Sequence, residues 1–136
     1  MVPGVAIMKK VLVVDDDISI RKLVAATLRK QKVTVFQAIT AAEGLHLAQV
    51  ELPDLIVMDV ILPGQNQDGI ITSHLIKRNP ITAMCKILLI SGVVSLDEEE
   101  LARSGADGFL SKPFNPIELR NKITRMLGRN PQALGA

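Results

Sequence analysis

Three consecutive carboxylates, Asp15, Asp16 and Asp17, terminate the apolar run Val11–Val14. Like charges this close repel unless solvent, a proton or a bound cation relieves them, so the stretch is either a solvated turn or half of a metal site. Three further polar groups end short apolar runs in the same way: Asp59 in "DLIVMDV", Ser91 in "KILLIS" and Lys112 in "GFLSK". If the runs are strands of one sheet, the carboxylates, the hydroxyl and the ammonium converge on one rim. Asp15, Asp16 and Asp59 together then require a divalent cation, and an all-oxygen donor set favours Mg2+.

The elements that must hold these groups alternate along the chain. Segments 10–14, 33–38, 54–58, 86–90 and 108–110 read as strands, several of them apolar throughout, as in parallel sheets covered on both faces. Helical patterns lie between them. Residues 18–31 carry an apolar stripe of Ile20, Leu23, Val24, Thr27 and Leu28, and 40–51 opens with Thr40 and Glu43 at capping-box spacing. Helices are also expected over 68–79, over 95–105 ending at Gly105, and over 115–127 ending at Gly128, the last with Asn115 and Pro116 as N-cap and first helical residue. Asp17 suits the start of the first helix, Asp54 and Asp68 suit turns or caps, and the acidic run 97–100 complements a helix dipole. Five successive βα units predict a doubly wound α/β domain with a five-stranded parallel sheet and helices on both faces. Ligands of such sheets bind at the carboxyl ends of the strands, where the polar groups lie. One domain over 9–128 accounts for the pattern, with 1–8 as a leader and 129–136 as a tail or the start of a linker.

Composition narrows the function classes. The 136 residues are 48% hydrophobic and 22% charged with a formal net charge of +2, as in an ordinary globular chain. Basic residues are scattered, and three Phe are the whole aromatic complement, which leaves neither a basic footprint nor a stacking platform for nucleic acid. The lone Cys85 cannot form an internal disulfide, and no Cys/His cluster has zinc spacing. No apolar run reaches the roughly 18 residues of a membrane span, and "MVPGVAIM" lacks the charged start of a secretory signal, so a cytoplasmic location is expected.

The set "VDDD", "DLIVMDVILPG", "LLISG" and "GADGFLSKPF", in this order over about residues 9 to 128, resembles the receiver domain of two-component response regulators. The resemblance implies the flavodoxin-like strand order 2-1-3-4-5. It implies Asp59 as phosphoacceptor, with Mg2+ held by Asp16 and Asp59 directly, Asp15 through water and the carbonyl of Ile61. It further implies that Ser91 bonds the phosphoryl group, that Lys112 pairs with it, that Phe109 is the switch aromatic and that the Lys112–Pro113 peptide is cis. The implied partner is a sensor histidine kinase or a histidine phosphotransfer protein, with an output domain or downstream protein reading the face of helix four, strand five and helix five. A receiver of this kind is a signalling phosphoacceptor without a separate turnover substrate. Each role has its own chemistry: a carboxylate is a weak nucleophile, so attack on phosphorus needs positioning and neutralisation of the incoming oxygens.

Several features depart from that pattern. The loop 64–68 is about two residues longer than the usual form, and the stretch from Ser91 to Lys112 is one residue shorter, which predicts an abbreviated or shifted fourth helix. "ADGF" replaces the two acidic residues that precede the switch aromatic in many DNA-binding regulators, which argues against the salt-bridged dimer of that subfamily and leaves the oligomeric state, a homodimer included, open. Ile61 and Val93, apolar and β-branched beside the acceptor, predict slow hydrolysis of an acyl phosphate because neither can orient a water. His46 and His74 have no role in this reading. Two other classes use similar parts. A haloacid-dehalogenase-type phosphatase would carry an Asp-x-Asp nucleophile and acid pair on strand one and a cap insertion. A pseudo-receiver that only binds partners would normally lack an essential Asp or the Lys.

Overall fold

The computed structural model describes residues 8–63, 68–92 and 96–128. Val93 and most of the long loop, residues 64–67, lie outside the described residues, as do 1–7 and 129–136. The element order is β1 (Lys9–Val14), α1 (Ile18–Thr27), β2 (Val33–Ala38), α2 (Ala41–Glu51), β3 (Leu55–Asp59), α3 (Gly69–Arg78), β4 (Lys86–Ser91), α4 (Glu98–Ser104), β5 (Gly108–Ser111) and α5 (Pro116–Met126). All strand pairs are parallel, in the order β2-β1-β3-β4-β5, so the chain reverses its direction of sheet growth after β2 and the crevice of that switch opens between β1 and β3.

Alternation along the central strands builds two cores. Leu12, Val14, Ile56, Met58, Ile87 and Leu89 face α2, α3 and α4. Val11, Val13, Leu55, Val57, Leu88 and Ile90 face α1 and α5, where Val24, Leu28, Leu119 and Ile123 are fully buried. Such strands are apolar at every position because successive side chains point to opposite, equally covered faces.

Helix starts follow local chemistry. Asp17, Thr40, Asp68, Asp97 and Asn115 each accept a backbone N–H as N-cap. At α2 Thr40 bonds the Glu43 N–H at 3.2 Å, whereas the reciprocal capping box forms at α5 between Asn115 and Glu118. Helix α1 ends at Thr27, four residues earlier than its periodicity predicts, because Leu28 caps it and the chain must turn before Val33 pairs with Lys9. The stripe also differs: Val24 and Leu28 are buried, Ile20 and Leu23 only half-buried, and Arg21 is buried beside them. Helix α4 has seven residues, the shortest of the five, as the short span from Ser91 to Lys112 predicts. No helix among the described residues is long and apolar enough to cross a membrane.

Candidate functional site

Strand ends deliver the acidic groups to one cleft of about 460 Å3, lined by Asp15, Asp16, Asp59, Ile61 and Lys112 among others. Carboxylate oxygens of Asp15, Asp16 and Asp59 lie within 4.8 Å of one another. Asp15 is fully buried and Asp59 is 6% exposed, while Asp16 stands in solvent at the mouth. Lys112 Nζ reaches across from the end of β5 to Asp15 Oδ2 at 3.2 Å and Asp59 Oδ2 at 3.4 Å. Its backbone is held there by the Lys112 N–H to the Ser91 carbonyl at 2.7 Å, and the Lys112–Pro113 peptide is cis.

One ammonium faces two buried carboxylates, and the charge states show the imbalance. Burial, then the neighbouring Asp15 carboxylate, pushes the Asp59 carboxyl up from its ordinary 3.8 to about 6; Lys112 and the Ile61 N–H at 3.3 Å oppose the rise. Lys112 is pushed up: burial alone would lower it, but Asp59 and Asp15 outweigh that. Oxygen donors in excess of cations at a partly desolvated rim fit a hard divalent ion. Asp15, Asp16 and Asp59 are the groups that could hold it.

Backbone packing fixes these side chains. Asp15 Oδ1 accepts the Asp17 N–H at 2.9 Å, while the Asp17 side chain caps α1 through the Ser19 N–H at 2.8 Å. The Asp15 carbonyl accepts Arg21 Nη1 at 2.7 Å, and Arg21 Nε donates to Gln37 Oε1 at 3.2 Å. Arg21 therefore clamps the first carboxylate loop to β2. Sequence reasoning missed it; the available signal was a cation one position from Ile20 and three from Val24, inside the apolar register of α1. At β3 the start of α3 is pressed on the strand that ends in Asp59. A Cβ at Gly69 would collide with the Asp59 carbonyl, and the Gly69 N–H donates to the Val60 carbonyl at 2.7 Å.

The remaining expected residues are placed differently from the cleft group. Ser91 ends β4 beside Lys112 and is 1% exposed, with Gly92 rather than Ser91 on the lining of the cleft. Phe109 lies half-buried on β5 against the core of α2, α3 and α4. Ile61 is 61% exposed on the lip.

The chain resembles known proteins in sequence and fold. Residues 11–124 match the response regulator receiver domain family. The chain belongs to that family. It is similar to the DNA-binding dual master transcriptional regulator RpaA of Synechocystis, 33% identical over 130 residues that cover 93% of this chain and 53% of the relative. Sporulation initiation phosphotransferase F of Bacillus subtilis is 31% identical over 121 residues, covering 88% of this chain and 94% of that protein. Among solved structures, chemotaxis response regulator CheY4 of Vibrio cholerae superposes with a TM-score of 0.80 at 34% identity, covering 88% of this chain and 99% of that one. The receiver domain thus spans about half the length of RpaA and nearly all of the phosphotransferase. The structure has the strand order that the resemblance implies.

Proposed function

We propose that this receiver domain, taken as residues 9–128, accepts a phosphoryl group on Asp59 from the phosphohistidine of a sensor kinase or phosphotransfer protein. The observation that carries this reading is Lys112 bridging Asp15 and Asp59, which puts the one cleft ammonium beside a carboxylate at the end of a central strand. An Asp59 oxygen attacks phosphorus, the P–N bond of the donor breaks, and the imidazole leaves with the electron pair. Asp59 is held for this by the Ile61 N–H, and Lys112 is positioned to meet an incoming phosphoryl oxygen. Asp16 and Asp59 directly, Asp15 through water and the Ile61 carbonyl would hold Mg2+, which when bound neutralises charge on the phosphoryl oxygens. Ser91 would bond the new oxygens and Phe109 would relay the change to the face of α4, β5 and α5.

Beside the cleft an apolar groove of about 430 Å3, lined by Ile20, Leu23, Pro113 and Phe114 with Lys112 and Gly92 at its end, offers a donor protein a surface that leads to Asp59. Cytoplasmic operation and coupling to an output domain belong to the same reading. A small phosphodonor with Mg2+ should add one phosphoryl group, mapped by intact mass and peptide analysis to Asp59. Undiminished modification of Asp59→Asn would place the acceptor elsewhere.

A further inference from the structure

Helix α3 packs Ile70 and Ile76 on the core but buries two polar side chains beside them and leaves two aliphatic ones exposed. Gly69, Thr72, Ser73 and Ile76 face inward, whereas Ile71 and Leu75 stand 49% and 47% exposed. Inside, the Thr72 hydroxyl donates to the Asp68 carbonyl at 2.8 Å, and Ser73 Oγ has no hydrogen-bond partner among the described residues. A helix that served only to cover a core would turn its aliphatic stripe inward. Ile71 and Leu75, one turn apart on the same face, have no such duty within this chain.

Ile71 is also the lip of a groove of about 430 Å3 between α3 and α4, lined by Asp68, Ile70, Ile71, His74, Glu100 and Arg103. Two of its polar side chains are already used locally. Asp68 caps α3 through the Ile71 N–H at 2.6 Å, and His74 Nδ1 lies 3.1 Å from the Arg103 carbonyl, a pairing in which the ring nitrogen donates. Glu100 and Arg103, one turn apart on α4, join no ion pair among the described residues. The groove thus offers an apolar lip with one unspent charge of each sign.

We propose that this α3–α4 groove is a self-complementary surface on which a second copy of the chain docks. A patch that meets itself across a two-fold axis needs both charge signs, so that Arg103 of each copy faces Glu100 of the other while the Ile71 and Leu75 side chains pack at the centre. A partner of one dominant charge, or a lipid surface, would select a patch of a single sign. Two half-exposed aliphatic anchors make a small contact, so the pair is weak, with a Kd on the order of 100 µM. The surface stands on the helices that follow the Asp59 and Ser91 strands, and the proposal does not depend on Asp59 being the acceptor.

Sedimentation of the whole chain from about 5 to 500 µM tests this. The wild type should pass from monomer toward dimer. Ile71→Ser with Leu75→Ser, Arg103→Glu alone and Glu100→Arg alone should each weaken pairing at least about tenfold, and the charge swap carrying both Glu100→Arg and Arg103→Glu should recover it. Ile71, Leu75 and Arg103 are exposed and Glu100 is half-buried, and thermal unfolding checks that each variant folds. Added salt should weaken the wild-type pair, a second readout that requires no variant. A wild type that stays monomeric across the range, a dimer indifferent to the aliphatic changes, or a charge swap that fails to recover pairing would each overturn the proposal.

Discussion

The two rims of the sheet treat acidic residues in opposite ways. At the amino ends of the strands each acid is matched. Asp54 accepts the Lys10 N–H at 2.8 Å and lies 3.9 Å from Lys9 Nζ, Glu51 pairs with Lys10 at 3.4 Å, and Asp107 takes both Lys77 Nζ and the Ile87 N–H at 2.9 Å. At the carboxyl ends Asp15, Asp16 and Asp59 cluster, and the two buried ones, Asp15 and Asp59, share Lys112. One rim uses carboxylates to hold strand starts and helix ends in register. The other keeps them in excess, at a cost in apo stability, which is a reason to expect a ligand there.

The sharpest test of that contrast is the clamp behind the acidic rim. Arg21→Ala removes a charged donor from a buried carbonyl and should cost about 3 kcal/mol in urea denaturation. It should also weaken Mg2+ binding, because Asp15 loses its backbone anchor; an unchanged Mg2+ affinity would reduce Arg21 to a packing role. A somewhat smaller effect, with the opposite sign, is expected at Asp59. Between 3.8 and about 6 the folded protein keeps a proton on Asp59 that the unfolded chain has released. Stability attributable to this group is therefore full below 3.8 and is lost as the pH rises through about 6. Without metal, Asp59→Asn should then stabilise the protein at pH 7 by on the order of 2 kcal/mol, with the gain vanishing below pH 4. Mg2+ should raise the melting temperature of the wild type and not of the variant. A variant less stable than the wild type at pH 7 would contradict charge excess at this rim.

On the matched rim the signs reverse and the sizes shrink. Asp107→Asn keeps an acceptor for the Ile87 N–H but loses the partly exposed Lys77 pair, a loss of about 1 kcal/mol with Mg2+ binding unchanged. The smallest effect is expected at Leu52, a C-cap held at φ +48° just before Pro53. Asn adopts that left-handed conformation more readily, and the Leu52 side chain is half exposed, so Leu52→Asn should gain about 0.5 kcal/mol. Calorimetry of the two single variants would show whether this rim is governed by local geometry and pairing alone.

Most of the architecture was legible before any coordinates. Strand runs, N-caps at Asp17, Asp68 and Asn115, and the stops at Gly105 and Gly128 are local events, determined by alternation, side-chain acceptors within a turn and a residue free to take positive φ. The acidic cluster was legible too, because it consists of residues that end apolar runs. Helix α1 was read too long because periodicity does not sense where the next strand must begin its register.

What the sequence determined by itself is therefore the inventory of the cleft: which residues end strands, and that their carboxylates repel. The tertiary structure alone decided how those charges are divided. Lys112 meets Asp15 across 97 positions of chain, Arg21 finds a buried carbonyl instead of solvent, and Ser91 stands behind Gly92. It also decided that Ile71 and Leu75 face outward while Thr72 and Ser73 face inward. Residue type measures the average cost of burying a group, whereas the actual cost depends on the partner that folding brings within hydrogen-bond distance.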